Sequence, residues 1–282
     1  MTVDEAVEAF SDKRVGFGIT TTSLKMDRAK IATVQFYDGE TGVCGIVPVH
    51  VKDEVISLAD WSKLAKLIST IEAIGHYMQF VCSACAVEFE VVPRISGDTY
   101  LLARVQQLPK HGLQDIALSI WPDKLAGKLR TFEEVFGDAS KGNLPFETFD
   151  LEDEEQRKYM ALGAALPYLI QEYYMESGMT VRWKAMYLEA YWTELMFLST
   201  IIKDRVRGIC VDLPRFQREL PTLEEQVNSL GTEFTKLAGR AVKYRSPKDL
   251  QKLLFNDLGL ESKLQTDTGN PSTSAEAIVM IS

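Results

Sequence analysis

Histidine is scarce in this sequence, with three in 282 residues, each standing alone. Cysteine is scarce too, at four, and only Cys82 and Cys85 pair as C-x-x-C, within the apolar stretch FVCSACAVEF. A structural zinc site needs about four sulfur or nitrogen ligands, and no second cysteine pair or histidine cluster supplies them, so these thiols read as buried packing groups. No apolar run approaches the roughly 20 residues that cross a bilayer. The first residues, MTVDEAVEAFSDKR, carry acids where a secretory leader would carry bases. Basic residues are the minority, 31 against 40 acids, for a net charge of −9. Sequence-blind coating of nucleic acid by the whole surface is therefore excluded, although a local basic site is not. With 46% hydrophobic and 25% charged residues, the chain is expected to fold as one large or two small globular domains. A soluble cytoplasmic protein with no membrane partner is the expectation.

What is present is ordered along the chain. RVGFGITTTSL, KIATVQFYD and GVCGIVPVHV alternate β-branched and polar residues, with turns at Asp38-Gly39 and Thr41-Gly42, and predict a hairpin or three-stranded meander over 14–50. Leu58, Trp61, Leu64, Leu67 and Ile68 have helical spacing. A short strand is expected over 73–77, a helix over 78–87, a strand over 88–92 and a helix over 98–121. Strand and helix alternate, so the N-terminal part is α/β. Six acids between Glu147 and Glu155 read as a solvated helix start, where carboxylates suit the dipole. One helix runs from there to about Met175, Ser177-Gly178 interrupts it, and another runs to about Val206.

Beyond Leu220-Pro221, the residues Leu223, Val227, Leu230, Phe234 and Leu237 are spaced 4, 3, 4, 3, a heptad seam for pairing with another helix. Ser246 is a natural N-cap with Pro247 in the first helical position, and Gly259 ends that helix. Thr273 and Glu276 form a T-x-x-E capping box for a further helix. Between 240 and 252, Arg240, Lys243, Arg245, Lys248 and Lys252 face only Asp249, a local charge of +4 in an acidic protein. Such a cluster beside a helix start suits phosphate, and Tyr244 is placed to stack or pack; a solvated helix face is the alternative.

GRAVKYRSPKDLQKLLFNDLGL (239–260) followed by GNPSTSAEAI (269–278) resembles the thumb segment of family A DNA polymerases, the DNA polymerase I type. There an S-P-K-Q-L helix leads to L-F-x-x-L-G-L, and a T-K-T-G-x-x-S-T-S loop precedes the next thumb helix. RGICVDLPRF (207–216) resembles the G-V-x-V-D segment that opens the polymerase domain. IVPVH (46–50) and TFEEVFG (131–137) fit, more weakly, the family's 3′–5′ exonuclease-like domain of ribonuclease H-like fold. The resemblance implies a mixed sheet with flanking helices over 1–176, then a connecting helix, the start of the polymerase domain and an incomplete thumb over 177–282.

The family's active exonuclease holds two metal ions with four carboxylates beside a tyrosine. Matched position by position, F-D-x-E-T becomes Phe17-Gly18-Ile19-Thr20-Thr21, so Gly18 and Thr20 stand where Asp and Glu belong. The second aspartate falls at Val81, and Y-x-x-x-D keeps Tyr159 but places Gly163 at its end. Asp98 matches an aspartate that is structural in the family. The resemblance therefore implies no catalytic residues, no metal and no cofactor for this chain, with Mg2+ belonging to the complete polymerase. For duplex DNA, the template-primer, it implies backbone contacts from Lys243, Arg245, Ser246, Lys248, Lys252, Thr273 and Ser274. Asp267 replaces the lysine of T-K-T-G, with Lys263 as a substitute.

The polymerase's palm and fingers have no counterpart here, and the seam's partner arm is missing. The expectation is a noncatalytic N-terminal part of a family A polymerase acting in DNA replication, completed by a second polypeptide carrying palm and fingers, in a bacterium or a phage-infected host. The alternatives are a protein-interaction scaffold, the truncated product of an interrupted gene, and an active exonuclease.

Overall fold

The computed structural model describes residues 1–23, 25, 28–52, 54–138, 144–176, 181–266 and 269–281. They form two compact units, Met1–Gly208 and Ile209–Ser282.

The first unit opens with helix α1 (Val3–Phe10), capped by the reciprocal Thr2–Glu5 pair. Strands β1 (Arg14–Thr21), β2 (Ile31–Tyr37) and β3 (Cys44–Pro48) make the expected antiparallel meander. A two-stranded ribbon, β4 (His50–Val51) and β5 (Glu54–Val55), precedes α2 (Leu58–Thr70). Then come β6 (Glu72–Gly75), α3 (Met78–Glu88) and β7 (Arg94–Asp98). The sheet order is β3-β2-β1-β6-β7, with β1, β6 and β7 parallel. The third parallel strand lies at Arg94–Asp98 and not over 88–92, because Glu90 takes a left-handed φ of 58° and breaks the extended run. The helix expected over 98–121 is two, α4 (Thr99–Val105) and α5 (Leu113–Ile120). Gln107 at φ 55° turns the chain between them, and Pro109 and Gly112 follow.

Short helices α6 (Pro122–Leu125) and α7 (Phe132–Phe136) lead to α8 (Glu154–Glu176) and α9 (Val181–Arg207). The acid cluster starts α8 as expected: the Asp153 carboxylate accepts the Glu155 and Gln156 backbone N–H groups at 2.8 and 3.2 Å. The break expected at Ser177-Gly178 lies outside the described residues. Helix α9 buries Tyr191, Leu195, Leu198 and Ile202, spaced 4, 3, 4, within the cores of the first unit. A division after residue 176 would assign α9 to the C-terminal part; its packing places it in the first unit. Helix α8 lies so close to β1 that a Cβ on Gly16 would come within 2.1 Å of the Ala164 carbonyl oxygen. Cys82 and Cys85 are fully buried on α3, and burial pushes the Cys85 thiol up to about 12.

The second unit is helical. Helix α10 (Leu213–Ala238) starts before Leu220-Pro221 and runs through Pro221, with Asp212 as its cap. Helix α11 (Pro247–Gln251) is capped by Ser246 and passes into one wide π turn at Lys252–Asp257. The last helix is α12 (Ala275–Ile281). Its cap is Ser274, whose Oγ accepts the Ala277 N–H at 3.2 Å, one position after the expected Thr273. Among the described residues this unit buries only Val242, Leu253 and Ala277 below a tenth exposure.

Candidate functional site

The first unit contains a cleft of about 420 Å³. Its lining includes Gly18 and Thr20 from β1, Val81 from α3, and Tyr159 and Gly163 from α8. All five positions singled out from the sequence thus meet in one place. Tyr159 and Gly163 are one helical turn apart and share a face. Tyr159 is held by edge-on ring contacts to Phe132 and Phe136, and burial raises its hydroxyl pKa, so it stays neutral.

The floor is polar but carries no charge. In the β1–β2 register Gly18 faces Gln35 and Thr20 faces Thr33. Gln35 is 1% exposed, and its Nε2 donates to Thr20 Oγ1 at 3.1 Å and to Thr33 Oγ1. A Cβ on Gly18 would lie 3.1 Å from Gln35 Oε1 and 3.2 Å from the Gly163 carbonyl oxygen. At its base a carboxylate grown there would meet two hydrogen-bond acceptors, while the cations of the cleft, Lys128, Arg130 and Lys158, come from other parts of its lining. The residues therefore do not fit a two-metal cage: two of the four positions are glycines, one is valine and one is threonine, and the amide of Gln35 fills the space beside them.

Two acids line the cleft elsewhere, Asp115 on α5 and Glu155 at the start of α8. Glu155 ends the acid cluster that the sequence marks as a solvated helix start, whereas Asp115 escaped sequence reasoning because it lies outside the matched motifs. Asp115 pairs with Lys110 at 2.9 Å and Glu155 with Lys158 at 3.9 Å. Among the described residues no group of three or more His, Cys, Asp or Glu is placed to hold a metal.

The same chemical change at the two glycines separates the steric from the chemical obstacle. Gly18→Asp is expected to cost about 1–3 kcal/mol of stability through overpacking. Gly163→Asp, whose Cβ would meet no atom within 4 Å, is expected to change stability by less than about 1 kcal/mol. Urea midpoints of the two variants check this; equal losses would contradict it.

Asp98 lies behind the cleft wall and is 1% exposed. Its carboxylate accepts the backbone N–H groups of Tyr77, Met78 and Tyr100 at 3.0, 2.9 and 2.9 Å. It thereby anchors the first turns of α3 and α4, and α3 carries Val81. Tyr77 sits at a left-handed φ of 56°, a strained position for a tyrosine that these bonds hold. Burial pushes the Asp98 carboxyl up to about 6, against the downward pull of the backbone bonds. The Asp98 N–H donates to the Tyr191 hydroxyl at 2.8 Å, and that hydroxyl donates to Gln171 Oε1 at 3.0 Å.

In the second unit Lys243, Arg245, Lys248 and Lys252 are exposed. None has an ion-pair partner among the described residues. Arg240 is different: it grips Asp257 through Nε at 2.9 Å and Nη2 at 2.6 Å, which removes it from the free charge of the patch. Arg245 lies over the Tyr244 ring at 5.9 Å. Tyr244 packs on α10, its ring 6.4 Å from that of Phe234. The Ser246 hydroxyl accepts the Asp249 N–H at 3.3 Å and the Ser274 hydroxyl caps α12, so both serve the backbone first. Gln251 Nε2 donates to the Pro271 carbonyl at 2.6 Å, tying the segment with Thr273 and Ser274 to α11. Lys263 is exposed, and Asp267 lies outside the described residues.

No family model matches the chain, and no curated protein matches it. Solved structures do. The POL domain of Pol1 from M. smegmatis, in complex with DNA primer-template and dNTP, is similar at a TM-score of 0.59 and 16% identity. That similarity covers 98% of this chain, which spans 42% of the POL-domain chain. The apo form of a nuclease is similar at a TM-score of 0.53 and 16% identity, over 72% of this chain and 88% of that one. NrnC of Brucella melitensis, at a TM-score of 0.46 and 17% identity, covers 72% of this chain and 89% of its own. Among the described residues no helix is long and apolar enough to cross a membrane. In fold, this chain is an α/β part with a mixed five-stranded sheet, similar to that of a nuclease, followed by a helical part, the two together similar to part of a Pol1 POL domain.

Proposed function

We propose that this chain is a noncatalytic part of a family A DNA polymerase that grips template-primer duplex with its second unit. The observation that carries the reading is the patch of four exposed cations, Lys243, Arg245, Lys248 and Lys252, free of ion-pair partners among the described residues of an acidic chain. Point charges on flexible stems neutralise phosphates without reading bases, which is what a duplex grip needs. Ser246, Thr273 and Ser274 add hydroxyls beside that patch. The DNA bound by the Pol1 POL domain of similar fold supports the same ligand class.

The first unit serves as a scaffold. Its cleft keeps the neutral Tyr159 but offers Gly18, Thr20, Val81 and Gly163 where an exonuclease would carry acids, so water there has no metal to activate it. Synthesis, and the Mg2+ it uses, belongs to a second polypeptide with palm and fingers. The setting is replication in the cytoplasm of a bacterium or a phage-infected host.

Binding of the full chain to a primer-template duplex, followed by fluorescence anisotropy across salt concentrations, tests the grip. Four phosphate contacts give a slope of log K against log salt of about −3.6. Charge reversal at Arg245 and Lys248 together should lower that slope in magnitude by about 2. An unchanged slope would remove the duplex reading and leave the protein-interaction scaffold.

A further inference from the structure

Helix α10 carries more of a seam than its C-terminal half shows. Because the helix begins at Leu213, the alternating spacing of three and four continues back from Leu223 through Leu220, Phe216 and Leu213. Every a and d position of α10 is thus apolar across its whole length. No residue of this helix is buried. Leu223 is 55%, Leu230 64% and Leu237 80% exposed. Among the a and d positions only Phe234 is partly covered, and the ring of Tyr244 packs edge-on against it. A continuous apolar stripe of this extent on a polar helix marks an interface.

The flanks say what fits it. With Leu213 as position a, the e and g positions hold Glu219, Glu224 and Glu233, and otherwise Gln217, Gln226, Gly231 and Ala238. No flanking position is basic. Arg215, at a c position, bonds Glu219 at 2.9 Å, while Glu224 and Glu233 have no ion-pair partner among the described residues. Pro221 falls at a b position, off the seam. A second copy of α10 pairs poorly. In parallel register Glu219 would face Glu224; in antiparallel register Glu224 would face its own copy and Glu219 would face Glu233. Like charges across the flanks work against both arrangements.

We propose that α10 is a docking surface for an apolar helix of another polypeptide whose flanking positions carry lysine or arginine. The proposal rests on the function given above only in that the partner is a separate chain.

The test uses the full chain and two labelled four-heptad peptides, both with leucine at a and d, one with lysine and the other with glutamate at e and g. Anisotropy should show the lysine peptide binding at least about tenfold tighter, with the preference shrinking in high salt. Glu224→Lys with Glu233→Lys should invert the preference, and Leu223→Glu with Leu230→Glu should abolish binding of both peptides. Sedimentation of the chain alone should give a monomer. Equal binding of the two peptides, binding that survives the leucine substitutions, or a dimer that those substitutions dissolve would overturn the proposal. The duplex-binding slope is read separately: its loss with the peptide preference intact removes the polymerase reading and leaves this one standing.

Discussion

Gly16→Ala is expected to lower the urea midpoint of the first unit more than any other single added methyl group. The new Cβ would lie 2.1 Å from the Ala164 carbonyl oxygen and 3.1 Å from both the Ala164 carbonyl carbon and Tyr168 Cβ. Two of these atoms are backbone, so no rotamer change relieves the clash, and α8 must lift from β1. Overpacking of a close-packed interior costs about 1–3 kcal/mol. A backbone-to-backbone clash belongs at or above the top of that range, about 3 kcal/mol. Gly163→Ala is the control. It adds the same methyl group on the opposing helix into open space, where helix propensity favours alanine by about 1 kcal/mol. A near-neutral Gly16→Ala would mean that α8 does not press on β1.

Asp98→Ala is expected to destabilise the first unit by about 3–5 kcal/mol, again read from denaturant midpoints. Three backbone N–H groups would lose their acceptor in a site closed to water, and two helices would lose the anchor of their first turns. The pH dependence carries a definite sign. The folded carboxyl, pushed up to about 6 by burial, binds its proton more tightly than the unfolded chain does, whose value is 3.8. Its contribution is therefore fully present below about pH 4 and is lost as pH rises to about 6. His76 runs the other way: burial lowers it to about 4, so stability from that group is lost as pH falls below its ordinary 6.5. Comparing the parent with Asp98→Asn at pH 4.5 and pH 7 isolates the first effect. The parent should gain relative to the variant at the lower pH, and a gain at the higher pH would reverse the assignment.

The meander β1-β2-β3 was legible because β-branched alternation and turn residues agree there, and α2 was legible from apolar spacing. The strand at Arg94–Asp98 was not, since RISGD has neither the length nor the alternation of a strand and is held by its parallel neighbour β6. The split between α4 and α5 was readable from Pro109 and Gly112, breakers inside the stretch read as one helix, although the turn itself falls at Gln107, whose left-handed φ leaves no mark in composition. The five cleft positions came from motif order alone, and nothing in local chemistry marks Gly18 or Val81. Gln35 was out of reach because its role depends on cross-strand register, which sets it opposite Gly18. The seam on α10 was half legible. Leu220-Pro221 looked like a boundary, but with Pro214 in the first turn the helix begins earlier and carries Pro221 inside it.

The sparse interior of the second unit, three buried residues among those described against the extensive cores of the first, has a kinetic consequence. Amide protons of α10 and α11 have few apolar contacts to keep their hydrogen bonds closed, so they exchange with solvent deuterium through openings much cheaper than unfolding β1 or β2. An occupant on α10 would slow that exchange along the whole helix, and the protected amides would trace the length of its footprint.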